Sequence, residues 1–473
     1  MADPAGNAIW PDRNQRLAEQ ARLSVRLADA LDAIQEGPVA WTPAPAELQA
    51  VLSRFDFEAP RTAGEVGDAV IALLKRGMVH VMHPGYFGLF NPSVAFPALL
   101  ADQITATFNP QMAVWSHAAA ANEVERHTLR AIAAKFGWRD EAACGHFTSG
   151  GAEANFTSLV CALTDAFPDY GDRGARAIDG APKLYVSAES HLAWLKIAHQ
   201  CGIGRDAVRL VATDGLGQMD ADALSRAVAA DRAQGHRPFF IGATAGTTNA
   251  GMIDPIEACV RIARSQDLWF HVDAAWGGAA VLSARPPERL KGIDLADSIT
   301  LDAHKWLATP MGAGMFLCRR EALLGEAFRV AASYMPAATE SVSDPYTHSA
   351  QWSRRFIGLK MFMALAVLGW DGYQAHIDHA RDLAGQLAAL LRANGWRVVN
   401  DSALAVVCFV DADSDLDPVV LAERVVADGR SWISSAKFEG RPVLRACITS
   451  HFSRLEHLET LVAALDAARA MGA

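Results

Sequence analysis

The sequence predicts an α/β protein whose main unit is a largely parallel sheet, with a helical arm before it and a smaller α+β unit after it. Three observations carry this. Between about residues 96 and 335, short apolar runs alternate with helical periods, the pattern of strands joined by crossover helices. Residues 14–34 repeat apolar side chains at helical spacing. Beyond about 336, a long helical stretch gives way to two strand-like runs and two helices. The expected units are 1–95, 96–335 and 336–473.

In chain order, Leu17, Ala21, Val25, Ala28, Leu31 and Ile34 form one apolar stripe, so the arm needs a partner surface. Gly37, Pro38, Pro43 and Pro45 break it before a second helix over 63–76. Strand-like runs follow at 183–187, 208–211, 239–244, 268–273, 298–301 and 314–318, with helices over 221–230 and 255–265 between them. Ligands gather at the carboxyl ends of such strands. A loop over 333–353 leads to a helix over 354–394, interrupted near Gly369 and Gly372. Strands at 405–410 and 443–448 and helices over 418–428 and 454–470 complete the chain.

Composition narrows the function classes. The 473 residues carry 43 Lys+Arg against 53 Asp+Glu, a net charge of -10, so there is no global positive field to condense on nucleic acid or an anionic membrane. The longest strongly apolar stretch, near Met361–Trp370, is too short to span a bilayer. The amino terminus shows no secretion signal, and seven cysteines are scattered singly, as in a reducing cytoplasmic setting. His80/His83 and His376/His379 lack a third ligand, so no metal site is expected.

Three features carry chemistry. Thr148-Ser-Gly-Gly-Ala-Glu-Ala-Asn155 precedes an apolar helix, and small residues there let backbone N–H groups approach a phosphate. Asp273 closes the apolar run Trp269–Val272, a carboxylate that needs a cation or a proton. Lys305, in Asp302-Ala-His-Lys-Trp306, follows a strand, where partial desolvation frees an amine to attack a carbonyl. An anion cradle, an acid and a lysine on neighbouring strand ends are what pyridoxal phosphate requires: a phosphate site, a partner for its ring nitrogen and an imine-forming amine.

With these motifs the chain resembles the group II pyridoxal-phosphate-dependent decarboxylases, which include the aromatic-L-amino-acid and glutamate decarboxylases. The resemblance rests on His83-Pro-Gly-Tyr-Phe-Gly88, Thr148–Asn155, Ser190-His191, Ala243-Thr-Ala-Gly-Thr-Thr248, His271-Val-Asp-Ala-Ala275, Asp302–Trp306 and Ser353-Arg-Arg-Phe356 before Leu359-Lys360. It implies the aspartate-aminotransferase-like fold (fold type I) with a seven-stranded sheet, and a homodimer for which the arm would be a clasp. By resemblance Lys305 forms the imine, Asp273 pairs with the pyridine nitrogen and His191 stacks on the ring. Thr244 lies beside the cofactor, and Ser149, Gly150, Gly151 and His304 surround the phosphate. Asp302 stands where relatives have Asn, and Ala152 where they often have Ser or Thr. A carboxylate repels phosphate, so Asp302 is expected to turn away toward backbone or His304.

The reaction so implied is decarboxylation of an L-amino acid to its amine and CO2, with the proton delivered by a tyrosine on a mobile loop. Tyr334 and Tyr346 are available, and Tyr346 is favoured because Ser341–His348 reads as a lid. Tyr86, Phe87, Phe90 and Trp115 suggest an aromatic or large apolar substrate. Alternatives are an aminotransferase, an oxidative decarboxylase forming aldehyde, and a decarboxylase of glutamate or another aliphatic amino acid, for which Arg354 or Arg355 would be selective. Arg445 stands where aminotransferases hold the substrate carboxylate, but the resembled decarboxylases share it. A scaffold without chemistry is the remaining rival.

Overall fold

The computed structural model describes residues 9–139, 144–330, 344–413 and 416–471. Its main sheet contains β1 (Cys144–Thr148), β2 (Pro182–Ser187), β3 (Val208–Val211), β4 (Arg237–Thr244), β5 (Trp269–Asp273), β6 (Ser298–Asp302) and β7 (Gly314–Cys318). They are ordered β1-β7-β6-β5-β4-β2-β3. Neighbours from β3 through β6 pair in parallel, while β7 runs antiparallel to both β6 and β1. Every residue of β5, β6 and β7 is buried, as befits strands covered on both faces. The second sheet, ordered β10-β11-β9-β8, is antiparallel and comprises β8 (Trp396–Val398), β9 (Val406–Asp411), β10 (Ser434–Phe438) and β11 (Arg441–Cys447).

All six strand-like runs of the middle region are strands, and the helix expected over 63–76 spans Ala63–Arg76. The apolar-run criterion passed over β1, because Gly145 and His146 interrupt its hydrophobicity. It also passed over β8, which has three residues, and β10, which is half exposed. The expected break in the long helix Gly358–Ala393 falls at Gly369, whose φ of 65° and ψ of 178° lie outside helical space and suit a residue without Cβ.

One continuous apolar core runs from Phe87 to Ala468, joining the faces of both sheets through the long helix, so packing does not break between the two sheets. The arm, Arg13–Glu36, is capped by Asp12, whose carboxylate accepts from the Asn14 and Gln15 N–H groups. Arg22 and Arg26 tie it to Asp68 on Ala63–Arg76. This polar anchorage leaves the first part of the apolar stripe outward: Leu17 is 48% and Val25 60% exposed, Leu31 and Ile34 are half-buried, and Ala30 is the helix's one buried residue. Among the described residues, no helix is long and apolar enough to cross a membrane. His80, His83, His376 and His379 each place Nε2 on a backbone carbonyl. No group of side chains among the described residues is arranged to hold a metal.

Candidate active site

The parallel strands deliver Thr244, Asp273 and Asp302 to one edge of the sheet, and β1 delivers Thr148 to the same edge. Thr244 lies opposite Asp273 in the β4–β5 register, and Asp302 lies opposite Gly314. The helix Gly151–Ala166 begins directly after Thr148-Ser-Gly150. Approach here is close. A Cβ at Gly314 would fall 2.6 Å from the Gly150 Cα, one at Gly151 would fall 2.9 Å from Asp302 Oδ2, and one at Gly150 would touch His304 at 3.4 Å. Only glycine leaves room for a cradle of this depth.

Asp273 is buried, and its Oδ2 accepts from Asn155 Nδ2 at 2.8 Å while Oδ1 accepts from the Ala275 N–H at 3.2 Å. Among the described residues no cationic side chain pairs with it. The helical i, i+4 spacing places Asn155 on the same face as Gly151. Its Oδ1 accepts from Thr300 Oγ1 at 2.7 Å and from His271 Nε2 at 3.0 Å. Since Asn155 Nδ2 donates to Asp273, Oδ1 is an acceptor, and the proton of His271 is assigned to Nε2. Burial holds His271 at about 4, so the ring is neutral, and its Nδ1 accepts from Ser298 Oγ at 2.8 Å. A hydrogen-bonded chain thus fixes the Asp273 carboxylate without neutralising it, leaving it suited to a protonated ring nitrogen. Asn155 stands in the quoted motif, but its role needs the helix to be placed over β5 and β6.

Lys305 sits in the turn after β6, its N–H donating to Asp302 O at 3.2 Å. This folds the side chain back, so that Nζ lies 3.1 Å from Asp302 Oδ2 with the lysine 26% exposed. The expectation for Asp302 is corrected here. It does not turn away: its side chain is buried against Lys305 and the Gly151 cradle, Oδ1 has no partner, and His304 Nε2 lies 3.8 Å from Oδ2. The turn geometry, invisible to strand-by-strand reading, decides this. His304 Nδ1 accepts from the Ala313 N–H, and burial lowers the pKa of its ring.

The remaining expected residues are placed unevenly. Thr244 is buried beside Asp273, its N–H donating to Asp254 Oδ2 at 2.7 Å. Asp254, missed by sequence reading, also accepts from the Met219 N–H, and burial pushes it up to about 7. The Ser149 N–H and Oγ both donate to Glu153 Oε2 at 2.7 Å. His191 is exposed after β2, and its Nδ1 accepts from the Ala193 N–H at 3.1 Å. Tyr346 packs on Trp352 at 4.9 Å with its N–H on Ala113 O, and the structure does not bring it to Lys305 among the described residues. Tyr334 and Ser341–Ser343 of the expected lid lie outside the described residues. Tyr86, Phe87 and Phe90 are buried, Tyr86 stacking on Trp432 and Phe90 meeting Trp276 at a tilt with ring centres 4.5 Å apart. Trp115 is half-buried and donates to Glu123.

Residues 51–411 match the model of the pyridoxal-dependent decarboxylase conserved domain. The chain belongs to this decarboxylase family. It is 32% identical over 349 residues to L-aspartate decarboxylase dtxS4 of Metarhizium robertsii, covering 73% of this chain and 69% of that one. It is 29% identical over 382 residues to the aromatic-L-amino-acid decarboxylase of Bacillus atrophaeus, covering 78% of each. The crystal structure of mouse CSAD superposes with a TM-score of 0.86 at 26% identity, over 95% of this chain and 98% of that one. The protein is thus a pyridoxal-phosphate-dependent amino-acid decarboxylase of fold type I. The glycine cradle and the buried Asp273 without a counter-cation fit the cofactor's phosphate and ring nitrogen, and Lys305 fits its carbonyl.

Asp302 works against this group, since a buried carboxylate in the cradle repels a phosphate. Asp302→Asn keeps the shape and removes the charge. It is expected to tighten pyridoxal phosphate about 10-fold, roughly 1.4 kcal/mol, while leaving the affinity for unphosphorylated pyridoxal unchanged. Equilibrium dialysis of both ligands checks this.

Proposed function

We propose that the substrate is an L-amino acid with an aromatic or large apolar side chain, decarboxylated at Cα by the Lys305–Asp273 site of a homodimer. The observation that carries the side-chain class is that the arginines that would select an acidic substrate are placed away from Lys305 or are paired. Arg354 lines a cavity that Lys305 does not line, with its Nη2 on Glu125 at 2.6 Å, and Arg355 pairs with Asp102 at 3.0 Å. Arg445 spends Nη1 on Thr248 O and Nε on Ser434 Oγ, and its guanidinium lies over the Phe90 ring at 5.5 Å. The aromatic-L-amino-acid decarboxylase among the relatives supports the same class.

In this reading each residue does one thing. Lys305 would hold the cofactor at its carbonyl carbon and exchange it for the incoming amine. Asp273, fixed by Asn155, would keep a proton on the ring nitrogen. The glycine cradle and His304 would hold the phosphate, and His191 and Thr244 would pack beside the ring. The bound cofactor supplies an electron sink for the pair left behind when CO2 departs. Tyr346 returns a proton to Cα, which requires its segment to move or to serve the neighbouring subunit.

A panel of aromatic, aliphatic and acidic L-amino acids, scored for CO2, amine and aldehyde, tests the reading. Amine from aromatic members is the expected outcome; CO2 from aspartate or glutamate alone would reject the side-chain class. Tyr346→Phe should lower amine release at least ~10-fold and divert turnover toward oxygen-dependent aldehyde, and an unchanged amine rate rejects that residue. The arm's outward stripe supports the dimer, because a 24-residue helix with one buried residue needs a partner for its apolar face. Light scattering should give twice the chain mass.

A further inference from the structure

A second group of buried polar side chains lies apart from Lys305. It surrounds a cavity of about 80 Å³ whose lining includes Asn122, Glu125, His146, His348 and Arg354. These residues come from the helix Ala119–Lys135, from β1 and from the segment that follows residue 343. Six side-chain atoms here are buried without a partner: both ring nitrogens of His146, Nδ1 of His348, Nε and Nη1 of Arg354, and Oδ1 of Asn122. His146 is 1% exposed and the Arg354 side chain 5%. Leaving so many polar groups unsatisfied is costly, and an occupant that meets them would recover that cost.

The chemistry of the lining selects the occupant. The free Nε and Nη1 of Arg354 can only donate, His146 adds one N–H and one acceptor nitrogen, and Asn122 Oδ1 only accepts, so unmet donors outnumber unmet acceptors. Glu125 takes the Nη2 edge of Arg354 at 2.6 Å and divides its charge with the Gly358 N–H at 2.9 Å. Glu123 and Glu321 also line the cavity and are matched by Arg126 and Arg130, and burial, with Arg354 adding to it, lowers both imidazoles below their ordinary range and keeps them neutral. The volume is well under the roughly 300 Å³ at which pockets begin to hold metabolites, and it admits an ion with few waters.

We propose that this cavity is a binding site for one small monovalent anion of the halide class, held by Arg354, His146 and His348. The ion seats the segment Asp344–Arg354, whose start is fixed by the Trp115 N–H on Asp344 Oδ1 at 2.8 Å. The same segment carries Tyr346, and Gln351 links it to Glu153, the partner of Ser149 in the glycine cradle. Occupancy therefore orders a stretch of chain that touches the cofactor loop, whatever substrate the enzyme takes.

The test uses the holoenzyme with bromide and chloride as probes. Bromide-soaked crystals should show one anomalous peak per chain within hydrogen-bond distance of Arg354 and an imidazole. The melting temperature should rise by about 2 °C or more in chloride over gluconate at equal ionic strength, saturating with concentration. His348→Leu, which leaves the Arg354–Glu125 pair in place, should remove that saturable rise. Absence of the peak overturns the proposal and leaves the cavity to water. A peak without a saturable shift marks an adventitious ion only and overturns it equally.

Discussion

Lys305→Ala is expected to lower kcat by at least ~10³-fold, because the amine that holds the cofactor and exchanges it for substrate has no substitute in the site. Lys305 follows β6 at the strand-end edge, and its Nζ stands 3.1 Å from Asp302 rather than in bulk solvent. The substitution also strips Asp302 of its cation. Asp302 is 2% exposed with Oδ1 already unpartnered, so the variant should melt below the parent. Combining Lys305→Ala with Asp302→Asn separates the two effects: the melting temperature returns and the activity does not. Recovery of activity in the double variant would show that charge burial, and not the missing amine, had caused the loss.

Asp273→Asn should cost about 100-fold or more in kcat with a smaller change in KM, since the carboxylate acts on charge that develops as CO2 leaves. An amide there has one oxygen, which keeps the bond from Asn155 Nδ2 and with it the link to Thr300 and His271, while its NH2 takes the place of the oxygen that meets the Ala275 N–H at 3.2 Å, and that longer bond is lost. What disappears is the negative charge that keeps the ring nitrogen protonated. Steady-state kinetics beside a cofactor titration checks this: retained cofactor with lost turnover is the expected pair. A variant with parental kcat would remove Asp273 from the chemistry.

The strand ends were legible because each follows an apolar run that must be buried, which placed Asp273, Thr244 and Lys305 at one edge before any coordinates. The partners of those residues were not. Asn155 reaches Asp273 only once the helix is laid across β5 and β6, and Asp302 faces Lys305 because the turn between them closes within three residues. The aromatic cluster of Tyr86, Phe87 and Phe90 reads equally as pocket lining or as core in the sequence. The structure buries all three, Tyr86 against Trp432 and Phe90 against Trp276. β1 escaped notice for a third reason: its pairing with β7 supplies an order that Gly145 and His146 conceal in the sequence.

The central claim is that Lys305 carries the cofactor and that the site releases CO2 from an amino acid. Borohydride reduction of the pyridoxal-phosphate-loaded enzyme, followed by peptide mapping and by a parallel assay for CO2 and amine, tests it most directly. The account predicts a reduced pyridoxyl adduct on Lys305, its loss in Lys305→Ala, and amine formed in step with CO2. An adduct on another lysine, or none, would contradict it.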